Sequence, residues 1–118
     1  MRIRTRGPDE PVKYLSGGNK QKVVLGKWLA AECKLLLLDE PTIGIDVGAR
    51  QDIYRLIEQF REAPDHAVIL VSSDIDEVLE IADRILVLAD YRVVAELDPA
   101  RADKHQILEY CARRAAAN

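Results

Sequence analysis

Leu15-Ser16-Gly17-Gly18-Asn19 and, 16 residues further on, Leu35-Leu36-Leu37-Leu38-Asp39-Glu40 are the stretches that decide the fold of this 118-residue chain. The leucine run is short, wholly apolar and closed by two acids, the pattern of a strand buried on both faces of a parallel sheet. Between the two stretches, Gln21, Leu25, Trp28 and Leu29 recur at helical spacing from Asn19 to about Ala31, with Lys20, Lys22 and Lys27 left for the wet side. The Ser-Gly-Gly turn therefore opens a helix. Pro41 and Gly44 break regular structure after the acids.

Further along, Asp46 is placed to cap a helix whose apolar stripe is Ala49, Ile53, Leu56, Ile57 and Phe60, ending near Ala63-Pro64. Ala67 to Val71 reads as a second buried strand. Ile75, Val78, Leu79 and Ala82 mark a short helix, and Ser73-x-x-Asp76 matches a capping box at its start. Arg84–Leu88 and Arg92–Leu97 read as two strands around a tight turn. Asp103–Ala115 closes the chain as a helix with Ile107, Leu108 and Cys111 inward, and the Ala115–Asn118 tail is expected to fray. This alternation predicts an α/β fold with a mostly parallel sheet.

Composition sets the outer limits. A chain of this length has room for one domain that buries roughly two-thirds of its unfolded surface. With 48% hydrophobic and 31% charged residues it is an ordinary globular composition, and no apolar run approaches the roughly 20 residues that a bilayer requires. No apolar region of signal-peptide type follows Met1-Arg2-Ile3-Arg4, so a cytosolic location is expected. The net charge of −3 gives no basic footprint for nucleic acid. Cys33 and Cys111 read as free buried thiols, His66 and His105 as solvent-facing, and Trp28 as a packing residue, with no metal-ligand spacing among them.

The chemistry lies in the two opening stretches. Asp39 and Glu40 leave a strand at its carboxyl end, where open α/β sheets collect ligands. There the first acid can hold Mg²⁺ directly or through water, and the second can orient or deprotonate a water attacking a γ-phosphate. The free N–H groups behind Ser16-Gly17-Gly18 suit a phosphate, because no Cβ atoms bar its approach. Taken singly, an acid-ended strand and an N-capping turn are both commonplace. Together, with Pro41-Thr42 following the acids, they are specific.

On these residues the chain resembles the ATP-binding cassette (ABC) ATPases, whose Leu-Ser-Gly-Gly-Gln signature is similar to residues 15–19 and whose Walker B strand is similar to residues 35–40. The resemblance is stronger to the second cassette of tandem-cassette bacterial sugar importers of the ribose, galactose or xylose type. It rests on Leu-Ser-Gly-Gly-Asn, on Lys-Val-Val-Leu-x-Lys-Trp-Leu after it, and on Gly44-Ile45-Asp46-Val47-Gly48-Ala49. It implies a partial P-loop NTPase (RecA-like) sheet with helices on both faces. The expected layout of residues 1–118 is the C-terminal portion of a nucleotide-binding domain: signature turn and helix 15–31, Walker B to D-loop 35–49, switch region 67–74, and C-terminal strands and helix 84–115.

The same resemblance implies ATP and Mg²⁺ as cofactors. Ser16, Gly17, Gly18 and Asn19 would meet the γ-phosphate held by an opposite cassette, with Asp46 as the D-loop aspartate crossing that interface. Asp39 would act on Mg²⁺ and Glu40 as catalytic base. Ser73 falls at the switch-histidine position, where a serine lacks an imidazole's charge and reach. The implied partners are another nucleotide-binding cassette and transporter membrane subunits at the inner face of the plasma membrane.

No Gly-x-x-x-x-Gly-Lys-Ser/Thr loop occurs in the chain. The expectation is therefore an ATP-hydrolysing component of a sugar importer, present as a piece without Walker A and inactive alone. The alternative is a non-catalytic module lending its signature turn in trans. A strand between 67–71 and 84–89 would also be missing, exposing apolar surface open to self-association. Lys20 and Ile43 replace the Gln and Arg usual in the sugar group. Asp90-Tyr91 replaces the family's Asp-Gly, and a residue disfavouring positive φ there predicts a different turn or a longer loop.

Overall fold

The structure, a computed structural model, describes residues 2–116, with side chains through Arg113. The chain divides between Val71 and Ser72 into two compact units. In the first, a 3-10 turn over Val12–Tyr14 leads into helix α1 (Gly17–Ala30), strand β1 (Leu35–Asp39), helix α2 (Val47–Arg61) and strand β2 (Ala67–Val71). Strands β1 and β2 pair in parallel, Leu35 opposite Ala67 through Asp39 opposite Val71. A parallel pair needs a crossover, and α2 supplies it. Its apolar stripe buries Ile53, Tyr54, Ile57 and Phe60 in the same core that takes Leu25, Leu36 and Leu38.

The strands are not buried on both faces. Leu36 and Leu38 point into the core, whereas Leu35 is 51% and Leu37 69% exposed, and Ile69 and Val71 stand open beside them. An all-leucine run carries no alternation, so its composition cannot say that only one face is covered. Of the α1 lysines, Lys20 and Lys27 are exposed as expected, but Lys22 is 7% exposed. Trp28, read as a packing residue, is half-exposed with Lys27 Nζ over its ring at 5.6 Å. His66 is not solvent-facing but stacks on Phe60 with ring centres 4.3 Å apart, its Nδ1 2.9 Å from the Phe60 carbonyl oxygen. Cys33 is half-buried and Cys111 exposed, rather than both buried; His105 is exposed as expected.

The second unit contains α3 (Ile75–Ile81), β3 (Ile85–Ala89), β4 (Arg92–Leu97) and α4 (Lys104–Ala116). Strands β3 and β4 form an antiparallel hairpin with a bulge between Val87 and Leu88. Ile85, Val87 and Ile107 form its core, with Val78, Leu79, Leu97 and Tyr110 packed around them. On α4 the inward pair is Ile107 and Tyr110, while Leu108 is half-exposed and Cys111 exposed. Asp103 Oδ1 accepts from the Gln106 N–H at 2.8 Å and starts that helix. Of the Ala115–Asn118 tail expected to fray, Ala115 and Ala116 belong to α4, and Ala117 and Asn118 lie outside the described residues. Among the described residues each sheet has two strands, so β2 and β3 each keep one edge without a strand partner.

The β3–β4 turn is tight, as its flanking runs suggest, and is not the different turn or longer loop expected from Tyr91. Asp90 and Tyr91 both take positive φ, 50° and 60°, and Ala89 pairs directly with Arg92, so the loop has two residues. Such a left-handed turn matches the right-handed twist of the paired strands, and the register of the buried Ile85 and Val87 forces it despite the side chain. Tyr91 is fully exposed, which limits the penalty to its own backbone. A left-handed L-residue costs about 1–2 kcal/mol, part of which glycine returns as greater freedom in the unfolded chain. Tyr91→Gly should therefore raise stability in urea unfolding by about 0.5–1 kcal/mol; a loss of stability would show that the tyrosine ring contributes contacts.

Candidate functional site

Ser16 caps α1 with extended backbone, and its Oγ accepts from the Asn19 N–H at 3.3 Å. The Asn19 side chain adds a second bond, Nδ2 to Ser16 Oγ at 2.9 Å, and its Oδ1 accepts from the Arg4 N–H at 3.2 Å. Asn19 is thereby turned inward and is 9% exposed, while Ser16 and Gly17 remain at the surface. The two signature glycines have different jobs. Gly17 has open space where a Cβ would stand, so it leaves the helix N-terminus accessible to an anion. Gly18 is buried, and a Cβ there would overlap the Ala49 side chain of α2.

That close approach brings the beginnings of α1 and α2 together. Asp46, exposed at the start of α2, accepts from the Ala49 N–H at 2.9 Å through Oδ1. Lower down, the buried Lys22 donates to Asp52 Oδ2 at 2.6 Å and to the Arg2 carbonyl at 3.3 Å. The Lys22 hydrogen bond and charge hold the Asp52 carboxyl below the usual carboxylate range. Two adjoining helix N-termini make a region that favours negative charge. The Gly18–Ala49 and Lys22–Asp52 pairings were missed in the sequence; their signals, a small-small pair and an opposite-charge pair, carry no spacing rule because they join different helices.

The two acids leave the carboxyl end of β1. Asp39 is exposed and Glu40 half-buried. Glu40 takes φ of 47°, and its N–H donates to the Val71 carbonyl at 2.8 Å. A left-handed non-glycine residue held by a backbone bond at a candidate site marks stored strain. Behind it Pro41 and Thr42 are buried, and Gly44, at φ of 70°, completes the turn into Asp46. Among the described residues no group of three or more His, Cys, Asp or Glu side chains gathers to hold a metal. Mg²⁺ needs no such cage, since one or two carboxylates with phosphate oxygens and waters suffice, and Asp39 fits that part.

Ser73 is exposed in the loop before α3, in the second unit. It is not the residue that caps α3. Asp74 caps α3 instead, its Oδ1 accepting from the N–H groups of Asp76 at 3.1 Å and Glu77 at 3.3 Å, because a carboxylate can serve two donors at once.

The sequence model of the ABC transporter family matches residues 1–43. The chain is 48% identical over 109 residues to an arabinose import ATP-binding protein of Pseudomonas savastanoi pv. phaseolicola, covering 92% of this chain and 21% of that one. The chain belongs to the ABC transporter ATPases. A ribose import ATP-binding protein of Streptomyces avermitilis is 49% identical over 90% of this chain and 20% of its own length. A putative ribose/galactose/methyl galactoside import ATP-binding protein of Hahella chejuensis is 45% identical over 96% of this chain and 22% of its own. The chain thus spans about a fifth of the length of these ABC relatives.

Solved structures agree on the ABC fold. A dimeric ATP-binding cassette in a post-hydrolysis state with ADP and Pi superimposes with a TM-score of 0.71 at 28% identity, over 86% of this chain and 43% of that one. An inward-facing conformation of a putative metal-chelate type ABC transporter gives 0.76 at 24% identity, over 88% of this chain and 41% of that one.

The division of labour between the signature glycines is testable. Gly18→Ala gains up to about 1 kcal/mol of helix propensity but must displace α2, an overpacking cost of about 1–3 kcal/mol. It should lower stability by about 1–2 kcal/mol and recover when Ala49→Gly is added. Gly17→Ala should be neutral or slightly stabilising. Equal effects of the two changes in urea unfolding would show that α1 does not approach α2 as described.

Proposed function

We propose that this chain supplies the signature turn, the Walker B acids and the D-loop of a nucleotide-binding domain in a bacterial sugar importer. The observation that carries this reading is the identity of 45–49% to sugar-import ATP-binding proteins across nine-tenths or more of the chain. Bound Mg-ATP would supply a γ-phosphate open to in-line attack by water. Asp39 would hold the metal side of that group. Glu40, its direction fixed by the left-handed backbone and the bond to Val71, would orient the water and receive its proton. Ser16 and the Gly17 N–H would donate to phosphate oxygens, and Asp46 would lie along the same nucleotide face.

Sugar importers couple such work to membrane subunits, and we place the chain at the inner face of the plasma membrane through them. No helix among the described residues is long and apolar enough to cross a membrane. Which sugar is moved depends on other components. Because the chain holds no Gly-x-x-x-x-Gly-Lys-Ser/Thr loop, its residues act on ATP whose phosphates are cradled elsewhere. The purified chain should show no ATP turnover above buffer; phosphate release that disappears in Glu40→Gln would overturn that expectation.

A second reading, favoured by the exposed Ser16-Gly17 turn, is a module lending this turn to another cassette without catalysis of its own. It expects the chain to associate with a cassette bearing an intact phosphate loop only when that cassette is loaded with Mg-ATP. Ser16→Trp should abolish the association. Association independent of ATP would count against this reading.

A further inference from the structure

We propose that Asn19 is a positioning residue that fixes which way the Ser16 hydroxyl proton points. The inference rests on the reading that the signature turn faces a phosphate, and it assigns Asn19 a part different from direct contact with the nucleotide. A serine hydroxyl has one proton to give and two lone pairs to accept with. Both acceptor positions of Ser16 Oγ are taken by one residue, the Asn19 backbone N–H at 3.3 Å and Nδ2 at 2.9 Å. The hydroxyl donates to no protein acceptor among the described residues, and Ser16 lies at the surface. Its proton is therefore directed away from the helix, toward solvent or toward whatever sits above the turn.

The orientation of Asn19 is itself held. Its side chain is buried at 9% exposure, and the Arg4 N–H bonds its Oδ1 at 3.2 Å. That bond identifies the oxygen and puts the amide nitrogen, a donor only, against Ser16. A phosphate oxygen accepts hydrogen bonds, so a serine forced to be a donor is prepared for it before it arrives. A serine free to rotate would spend part of its time offering a lone pair, which repels an anion. Asn19 thus selects an acceptor ligand for Ser16 without touching it.

Asn19→Asp tests this with little change of shape. The carboxylate still accepts from Arg4 and suits a position in the first turn of a helix, but it can only accept from Ser16, which turns the hydroxyl proton inward. The full chain, labelled with a fluorophore, is titrated with a tandem-cassette sugar-import ATPase whose phosphate loops are intact and whose catalytic glutamate is replaced by glutamine, loaded with Mg-ATP. Ser16→Ala and Asn19→Asp should each weaken association about tenfold, as loss of one hydrogen bond to a charged group does. The double variant should bind no more weakly than Ser16→Ala alone.

If Asn19→Asp acts by charge repulsion, or Asn19 touches the nucleotide itself, the losses multiply and the proposal is overturned. A second measurement stands apart from any association. In the ¹⁵N-labelled chain alone, Ser16→Ala should shift the Asn19 side-chain amide resonances; unchanged resonances would also overturn it. No association by the unaltered chain, with the resonance shift present, refutes the trans reading and the selection of a phosphate, while the Asn19–Ser16 bond itself is upheld.

Discussion

The contact on which the candidate site depends is the approach of α1 to α2 at Gly18, where the absence of a single Cβ lets the helix meet Ala49. It sets the two helix starts side by side and so puts Ser16 and Asp46 in one region. Lys22 secures the same pair of helices further along. An ammonium at 7% exposure is costly to bury without a counter-charge, and the hydrogen bond to Asp52 with the Arg2 carbonyl provides the compensation. Asp52 is partly exposed, so the pair serves more to fix register between helices than to add stability. The signature turn is therefore a tertiary feature: Ser16 is placed by α2 as much as by its own helix.

The one-sided sheet follows from the same economy of elements. With a single crossover helix, β1 and β2 have one face covered, and the other presents Leu35, Leu37, Ile69 and Val71. A contiguous apolar face with an adjoining strand edge is the kind of surface that monomers rarely leave open. In the hairpin unit Leu86, Leu88 and Val93 are likewise exposed. The larger cassettes that superimpose on this chain extend well beyond it, since it covers less than half of each. The leucine run has the same composition on its covered and its open face, and this is why it read as buried on both sides.

What could be read from the chain and what could not separates along physical lines. Periodicity and caps are local, so α2 was legible from Asp46 and the Ile53, Ile57 and Phe60 stripe, and the hairpin from its two flanking runs. Burial depends on partners that sequence does not show, which is why Lys22, Trp28, His66 and Cys33 were misplaced. Backbone strain is set by tertiary register, so neither the left-handed Glu40 nor the positive φ of Asp90 and Tyr91 could be seen in propensities that disfavour them. Of the candidate site, the residue types that could donate to a phosphate or hold a metal were legible in Leu15–Asn19 and Asp39-Glu40. The distinct roles of Gly17 and Gly18 were not, because both are simply glycine until a neighbour is known.

Glu40 shows how a strained residue and a buried strand cooperate. Asp39 continues the β1 ladder and is aimed by it, opposite Val71. One residue later the chain must turn toward Pro41 while Glu40 still bonds the Val71 carbonyl, and φ of 47° satisfies both demands. Glycine would adopt that geometry more cheaply but would bring no carboxylate. A turn chosen for stability alone would place glycine here, as Gly44 is placed four residues on. An acid at a strained position beside an acid at an unstrained one suits the proposed division of labour, in which Asp39 would face a metal-bound phosphate and Glu40 a water.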